Sequence, residues 1–338
     1  MIAALYLRIN STTLIDLCII LRMNNQPKYI YLSIVLPIFN EEKSLPELMK
    51  ELFSVCNSLN KNYEIIFVDD CSRDKTSDIL NEYADKDPRV KIIRFSRNFG
   101  HQAAISAGID ASSGDMVVTM DSDLQHPPEV IRELVKQSEA GYDIVIAERM
   151  AVEQRSFLRE LVGKAIYKFL SVATGLEFKN AGDFVLYKRR VVEVIKKLPE
   201  REKFFRGLAQ WVGFKKKYVP YVIRARKFGK GVSIRGLARF ILNGVTSFSA
   251  FPLRLSFWIG LIIFLGSIGY GASVVVEKYL YPENLIEGLS ALTLVVLALG
   301  SIQLMVIGVM GEYLYKMFNE IKGRPVYIVA ETKNLEND

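Results

Sequence analysis

The stretch MDSDLQHPPE, residues 120–129, follows an apolar run and contains two carboxylates, Asp121 and Asp123, one residue apart. If the apolar run is a strand that continues into this stretch, both side chains point to the same side and can offer oxygens to one hard cation. Gln125 continues the spacing with a neutral oxygen. The motif alone is equally compatible with a solvated acidic turn, so the choice depends on the rest of the chain.

Short apolar runs alternate with amphipathic stretches of helical length from Leu32 onward, which predicts strands and helices in alternation. Such alternation is typical of an α/β fold in which a mostly parallel sheet has helices on both faces. We predict strands at Leu32–Ile38, Tyr63–Val68, Val90–Phe95, Asp115–Met120 and Asp143–Ala147. The predicted helices are Leu45–Leu59, Thr76–Asp85, Gln102–Ala111 and Glu129–Ala140.

Each predicted strand is followed directly by a polar motif. These motifs are Pro37–Glu41, Asp69–Ser72, Ser96–Gly100, Asp121–Asp123 and Glu148–Arg149. In an open α/β sheet, the carboxyl ends of the strands form the edge where ligands bind. The convergence of five motifs on one edge favours a metal site over an acidic turn at residues 121–123.

A nucleotide is the ligand that these motifs favour. The chain contains neither Gly-x-Gly-x-x-Gly nor a Gly-Lys-Ser/Thr phosphate loop, which argues against dehydrogenases and common ATPases. Asp69 or Asp70 can accept from a base or a ribose hydroxyl, and Mg²⁺ or Mn²⁺ on Asp121 and Asp123 can bridge a diphosphate. Alternatively, Asp70 and Asp74 cap the helix that follows them.

The cysteines and histidines limit the kind of metal site. Cys18, Cys56 and Cys71 have no paired spacing, which fits a reducing compartment and gives no zinc motif. The only histidines are His101 and His126, so a histidine-rich site is excluded. We therefore expect any metal to be held by oxygen atoms.

Half of the 338 residues are hydrophobic, and two stretches, Leu255–Val276 and Leu289–Gly311, contain no charged residue. Each is long enough to cross a bilayer as a helix, and two in succession argue against buried core helices. The segment between them, Glu277–Gly288, has three Glu and one Lys, whereas Lys and Arg flank the pair. By the positive-inside rule we predict two transmembrane helices, with the N-terminal part and both termini in the cytoplasm.

A basic connector leads to the first predicted span. Residues 201–239 contain twelve Lys or Arg and one acidic residue. Because the connector directly precedes a predicted span, anionic lipid is a better partner than nucleic acid. Ser233–Phe251 has apolar residues at helical spacing, which predicts an interfacial helix, although an ordinary amphipathic core helix has the same periodicity.

The chain thus divides into five predicted parts. These are an N-terminal extension (1–30), a cytosolic catalytic domain (31–230), an interfacial helix (231–252), two transmembrane helices (253–311) and a cytosolic tail (312–338). The extension is a poor span and a poor signal peptide because Arg8, Asn10 and Asp16 interrupt its apolar stretch, and we assign it no function. Glycines within the predicted spans would permit close helix packing and therefore a homo-oligomer.

Four segments together resemble the family 2 inverting glycosyltransferases of the glycosyltransferase-A fold. They are Pro37–Glu41, Asp69–Thr76, Arg97–Gln102 and Asp121–Pro128. Within that family, the chain from Tyr31 onward is similar to the polyisoprenyl-phosphate glycosyltransferases, which include dolichol-phosphate mannose synthase and bactoprenol glucosyltransferases. Cys71 and Lys75 stand where the family often has glycine, and Val185 replaces an arginine.

The resemblance implies a set of site residues. Asp121, Asp123 and Gln125 would coordinate Mg²⁺ or Mn²⁺, and Pro37, Phe39, Glu41 and Asp69 would hold the nucleotide sugar, to which we add Asp70, Ser96, Asn98 and Asp121. By analogy with the bacterial enzymes, the first expectation is glucose transfer from UDP-glucose to undecaprenyl phosphate in the bacterial plasma membrane. GDP-mannose and dolichyl phosphate are the second expectation.

Several polar residues are candidates for the transfer chemistry. A polyprenyl phosphate is mostly ionised at cytosolic pH, so a strong general base is unnecessary. Arg149 and Arg155, and also Arg206, are candidate contacts for the lipid phosphate, although Arg155 fits a solvated surface role as well. Asp183 is a catalytic candidate that could orient the sugar or the acceptor, or it could make a structural hydrogen bond in a turn.

Two other functions share parts of these patterns. A processive polysaccharide synthase would carry a Gln-x-x-Arg-Trp motif and more membrane helices, whereas Gln210 and Trp211 are adjacent here and only two spans follow. A non-catalytic membrane scaffold or flippase partner could retain the fold, but the intact Asp121 and Asp123 pair argues against it.

Overall fold

A computed structural model describes residues 29–150, 181–201, 203–224, 251–280 and 289–335, with single positions at 168, 171, 174, 175 and 249. The predictions for residues 1–28, for Arg155 and for nearly all of the interfacial helix lie outside the described residues.

Eight strands and eight helices occur in the described ranges. The strands are β1 (Leu32–Ile38), β2 (Tyr63–Asp69), β3 (Val90–Phe95), β4 (Met116–Thr119), β5 (Ile144–Met150), β6 (Ala181–Lys188), β7 (Lys216–Val222) and β8 (Val329–Lys333). The helices are α1 (Leu45–Ser58), α2 (Thr76–Lys86), α3 (His101–Ala111), α4 (Val130–Glu139), α5 (Arg189–Lys197), α6 (Phe205–Trp211), α7 (Phe251–Leu280) and α8 (Leu289–Lys322). All nine predicted elements between residues 32 and 147 are confirmed, with ends that shift by up to three residues.

The strands form one sheet in the order β7-β5-β6-β4-β1-β2-β3-β8. Strand β1 pairs in parallel with β2 and β4, β2 with β3, and β5 with β7. Strand β6 runs antiparallel to its neighbours β4 and β5, and β8 runs antiparallel to β3. The predicted parallel sheet is therefore confirmed for its centre, and β6 and β8 make the whole sheet mixed.

Helices cover both faces of the sheet, which is why every residue of β1 and β2 is buried. Because successive strand residues point to opposite faces, Ile34 packs with helices α1, α2 and α4, whereas Val35 packs with α3, α5 and α6. This two-sided core fixes the strand ends that carry the polar motifs.

Helix α3 lies unusually close to β1 and β2 at Gly108. A Cβ at this position would be 2.2 Å from Val35 Cγ1 and 3.2 Å from Val68 Cγ2. Glycine therefore permits the approach of the helix whose first residue is His101.

The predicted boundary between the second span and the C-terminal tail, at residue 312, falls inside a helix of the structure. Helix α8 continues to Lys322, and the chain then returns as β8 at the edge of the sheet. The Tyr327 ring stacks on Phe95 at a centroid distance of 5.1 Å, and Asn334 Nδ2 donates to the carbonyls of Ala84 and Val90. The C-terminal segment is thus part of the sheet and not a separate tail.

The two uncharged stretches both lie in helices, in α7 and α8. Several side chains of these helices lie outside the described residues. Among the residues that the structure does describe, no helix is both long enough and apolar enough to span a membrane. The two spans and their orientation stay a prediction.

Substituting Gly108→Ala tests the close packing of α3. We expect the free energy of unfolding to fall by about 1–3 kcal/mol, because the added methyl group overlaps Val35 and must displace it. Chemical denaturation of the purified chain measures this change.

A double-mutant cycle with Val35→Ala provides the control. Removing the Val35 methyl groups opens space for the alanine, so the double variant should lose less stability than the sum of the two single variants. Additive losses would show that the contact does not limit the helix position.

Candidate active site

A cleft of about 560 Å³ opens at the carboxyl ends of the central strands. Nine of the predicted site residues line it, namely Pro37, Phe39, Glu41, Asp70, Asn98, Asp121, Asp123, Asp183 and Arg206. Seven of these nine residues belong to four of the five strand-end motifs, so the predicted convergence is observed for those four motifs and not for Glu148–Arg149. His101, Gln102 and Phe204 line the cleft as well and were not predicted.

The two carboxylates of the 120–129 stretch lie in a loop, because β4 already ends at Thr119. Because the strand ends before both carboxylates, the expectation that they share one strand face does not apply here, and Leu124, which follows them, has a left-handed backbone with φ of 61°. Gln125 donates its side-chain amide to Asp123 Oδ2 at 2.6 Å and its backbone N–H to Oδ1 at 3.1 Å. Asp121 and Asp123 still line the cleft, whereas Gln125 does not.

Asp121 is held between two imidazoles. The buried His126 has its Nε2 2.9 Å from Asp121 Oδ2, and His101 Nε2 lies 3.4 Å from Oδ1. Burial disfavours ionisation of Asp121, but the hydrogen bond from His126 and the nearby imidazoles outweigh it and hold the pKa of Asp121 well below its usual range. Asp121 is therefore an ionised carboxylate at neutral pH.

Asp183 forms the opposite wall of the cleft and is only 3% exposed. Arg206 binds it through two parallel hydrogen bonds, Nε to Oδ1 at 2.9 Å and Nη2 to Oδ2 at 2.8 Å. Burial alone would raise the pKa of Asp183, but the Arg206 charge and the contact with His101 hold this pKa far below its ordinary value. Asp183 thus makes structural hydrogen bonds and also lines the cleft, so the two roles considered for it do not exclude each other.

His101 connects the two carboxylates, with its Nε2 3.2 Å from Asp183 Oδ2. Desolvation lowers the pKa of His101, but the bond to Asp183 and the charges of both carboxylates outweigh this and raise it. Ligand atoms of His101, Asp121 and Asp183 lie within 4.8 Å of one another and form a group that could hold a metal ion. His101 directly follows the Ser96–Gly100 motif and was not among the expected ligands, and a metal held by oxygen atoms alone stays a prediction.

Hydrogen bonds join the loops after β1 and β2. The backbone N–H of Asn40 donates to Ser72 Oγ at 2.9 Å, and that of Glu41 donates to Thr76 Oγ1 at 2.8 Å. Asn40 and Cys71 both have left-handed backbones, with φ of 56° and 63°. The left-handed φ explains why glycine is common in the family at the position of Cys71.

Asp70 joins the second loop to the third. Its two oxygens accept from the backbone N–H groups of Phe99 at 2.6 Å and Gly100 at 2.9 Å, and burial raises its pKa. Asp74 instead accepts from Thr76 N–H, the first residue of α2, at 3.1 Å. The N-cap of α2 is Lys75 and has no side-chain cap hydrogen bond, so neither Asp70 nor Asp74 is the N-cap residue; Asp70 orders the loop that precedes His101.

Four predicted residues lie away from the cleft. Asp69 is buried and binds Ser77 Oγ at 2.6 Å, and Ser96 pairs through its backbone with Ile328. Arg149 lies inside β5, not after it, and its guanidinium packs so closely on Gly182 that a Cβ there would be 2.8 Å from Nη2. Gln125 is the fourth predicted residue that does not line the cleft.

Replacing Arg206→Gln tests the buried pair with Asp183. We expect the free energy of unfolding at pH 7 to fall by about 3 kcal/mol, because an almost fully buried carboxylate keeps only the His101 contact. The pKa of Asp183 is depressed in the folded protein, so its stabilising effect is present above the unfolded value near 3.9 and is lost as the pH falls through the folded value. The difference between wild type and variant should accordingly shrink at a pH below about 4.

The matched control is Arg89→Gln, which breaks the exposed pair with Asp87. This change should cost less than about 1 kcal/mol. Equal losses in both variants at pH 7 would contradict a stabilising role for the Asp183 pair.

Residues 33–196 match the model of the family described as glycosyl transferase family 2. The chain is 38% identical over 312 residues to the uncharacterized glycosyltransferase YkcC of Bacillus subtilis (strain 168), covering 92% of this chain and 96% of that protein. It is 39% identical over 306 residues to the SfII prophage-derived bactoprenol glucosyl transferase of Shigella flexneri, covering 89% of this chain and 98% of that protein.

Among solved structures, glucosyl-3-phosphoglycerate synthase from Mycobacterium tuberculosis in complex with Mn²⁺, uridine diphosphate and glucosyl-3-phosphoglycerate is similar over 64% of this chain and 79% of that chain. The identity is 20% and the TM-score is 0.46, too low to bear on function. The sequence relatives, in contrast, match over nearly their whole length. The chain belongs to glycosyl transferase family 2 and is similar to its bactoprenol glucosyl transferases.

Proposed function

We propose that this chain transfers a sugar from a nucleotide sugar to a polyprenyl phosphate at the cytosolic face of a membrane. The observation that carries the proposal is the cleft, which Asp121 and Asp123 line together with the pair of Asp183 and Arg206. The bactoprenol glucosyl transferases among the relatives support the acceptor class and favour glucose, with UDP-glucose as donor and undecaprenyl phosphate as acceptor.

The charge of the cleft supports a divalent cation. Five carboxylates line it, those of Glu41, Asp70, Asp121, Asp123 and Asp183, together with Arg206 and His101. An anionic diphosphate would be repelled by such a surface unless a cation entered with it. Carboxylate oxygens suit Mg²⁺ and Mn²⁺, and Mn²⁺ also accepts imidazole nitrogen.

Asp121 and Asp123 would hold that cation, with His101 beside them. When bound, it would supply positive charge to the diphosphate that leaves. Asp121 has one oxygen bound to His126 and the other 3.4 Å from His101 Nε2, and it lines the cleft. We therefore keep Asp121, Asp123 and Gln125 as the proposed ligands; the Gln125 side-chain nitrogen donates to Asp123, and its side-chain oxygen would be the ligand atom.

The proposed reaction is a single displacement. An oxygen of the acceptor phosphate attacks the anomeric carbon, while the bond from that carbon to the nucleoside diphosphate breaks and its electron pair leaves with the diphosphate. Attack from the opposite face inverts the configuration. Arg206 is 22% exposed and offers a positive group to the acceptor phosphate, and Asp183 fixes its orientation.

The donor would lie against the loops after the first three strands. Phe39 is 43% exposed at the cleft, which leaves a ring face for the base, and Glu41 and Asn98 lie beside it as polar contacts. We propose further that α7 and α8 are the two membrane spans, because their uncharged stretches would place the cleft near the lipid that carries the phosphate.

Asp121→Asn and Asp123→Asn test the proposed role of the carboxylates. Each should lower the transfer rate by on the order of 100-fold or more, because the site loses a charge needed at the leaving diphosphate. The assay incubates purified protein and undecaprenyl phosphate with a panel of nucleotide sugars, with and without Mn²⁺, and measures the mass of the lipid product.

The exposed Asp78→Asn on α2 is the matched control and should transfer at the wild-type rate. Chelation with EDTA should stop transfer, and added Mn²⁺ or Mg²⁺ should restore it. An unchanged rate in folded Asp123→Asn would contradict the metal role, and no lipid-linked sugar from any donor would favour the scaffold alternative.

A further inference from the structure

We propose that His126 and Tyr221 are positioning residues, which together fix the carboxylate of Asp121 for cation binding. The inference rests on the proposed function, since Asp121 is taken as a ligand of the cation. It assigns a role to a strand, β7, that lies far from residues 120–129 in the sequence and that contributes no residue to the lining of the cleft.

Three groups form a continuous hydrogen-bonded chain behind the cleft. Tyr221 Oη lies 2.8 Å from His126 Nδ1, and His126 Nε2 lies 2.9 Å from Asp121 Oδ2. His126 is 0% exposed and Tyr221 is 5% exposed. Neither residue can reach the ligand directly, so any effect on binding must pass through Asp121.

The donors and acceptors of this chain can be assigned. An ionised carboxylate only accepts, so the proton of the imidazole must be on Nε2, where it is donated to Asp121. For a neutral imidazole, Nδ1 is then an acceptor, and it receives the hydroxyl proton of Tyr221. The Tyr221 hydroxyl therefore selects the tautomer that presents an N–H to the carboxylate.

Ring packing holds the imidazole in this orientation. Phe184 contacts both partners edge to face, with centroid distances of 5.2 Å to His126 and 5.9 Å to Tyr221. A flipped imidazole would direct carbon atoms toward Asp121 and lose both hydrogen bonds. The orientation of one carboxylate oxygen is therefore fixed before any ligand arrives.

The residues after β7 hold the same loop at a second point. Arg224 donates its backbone N–H to the Gln125 carbonyl at 3.1 Å. Its guanidinium binds both oxygens of Glu51 at 2.8 Å and those of Glu129 at 3.1 and 3.2 Å. Contacts at Gln125, His126 and Glu129 thus limit movement of the segment that carries Asp121.

Hydrogen-bond partners of metal ligands commonly change metal affinity by about 10- to 100-fold. Replacing His126→Leu keeps a buried apolar side chain but removes the donor, and we expect the dissociation constant for Mn²⁺ to rise at least about 10-fold. His126→Gln should recover most of this loss, because its amide N–H can reach the position of Nε2. Tyr221→Phe removes only the hydroxyl and should weaken binding by a smaller factor.

The experiment measures free Mn²⁺ by electron paramagnetic resonance during titration of the purified full chain with Mn²⁺ and uridine diphosphate. Tyr218→Phe is the matched control, because it removes a hydroxyl on the same strand that binds Gln210, away from the cleft. This control should bind Mn²⁺ as wild type does. Thermal unfolding without metal verifies that each variant is folded. If His126→Leu does not fold, the Mn²⁺ affinity of Tyr221→Phe alone tests the inference.

The outcomes separate this inference from the proposed function. Weaker Mn²⁺ binding in Tyr221→Phe and in folded His126→Leu, with recovery in His126→Gln, supports it. Wild-type affinity in Tyr221→Phe and His126→Leu, together with weaker binding in Asp121→Asn, overturns the positioning role and leaves the proposed function standing. If wild type itself does not bind Mn²⁺, the proposed metal role fails and the inference fails with it.

Discussion

Repulsion between carboxylates is the constraint on which the site depends. Asp121 and Asp183 approach each other closely enough that both contact the same nitrogen of His101. Two ionised carboxylates at this separation are stable only if cationic or donor groups compensate for them. Arg206 does so for Asp183, His126 for Asp121, and His101 for both. The four elements that carry these residues must therefore keep their relative positions.

The architecture supplies those positions through long-range contacts. Helix α3 brings His101 to the cleft because Gly108 lets the helix pack directly on Val35 of β1. Strand β6 brings Asp183 alongside β4, where Thr119 Oγ1 donates to the Asp183 carbonyl at 2.6 Å. Strand β6, which runs antiparallel to β4 and β5, thus brings Asp183 into the cleft that the loop after β4 also lines.

The sequence predicts local structure well where periodicity is strong. The first five strands were recovered because each contains a short, mainly apolar run that is followed by a polar motif. Strand β7 was missed because it lies in the basic connector, where exposed lysines of an edge strand interrupt the apolar pattern. Strand β8 is short and almost wholly exposed, so only its pairing with β3 identifies it.

The site was predicted in part for related physical reasons. Asp69 and Asp70 are adjacent, and sequence alone does not tell which one faces the cleft. The structure shows that Asp70 does, whereas Asp69 is buried against Ser77. Arg149 was expected after a strand end that in fact extends to Met150. His126 was passed over because its partner Tyr221 is 95 residues away, and no local pattern reports such a contact.

The pKa values of the cleft residues bear on the kind of sugar acceptor that the cleft can use. A hydroxyl acceptor needs a general base whose pKa lies near the working pH. Among the cleft residues that the structure describes, Asp121 and Asp183 have strongly depressed pKa values and are weak bases. Both oxygens of Asp70 are bound by backbone N–H groups. An acceptor that is already ionised avoids this difficulty, and a phosphate monoester with its second pKa near 6 is such an acceptor. Asp121 and Asp183 are thus held in their ionised forms, and the acceptor phosphate that we propose needs neither of them as a base.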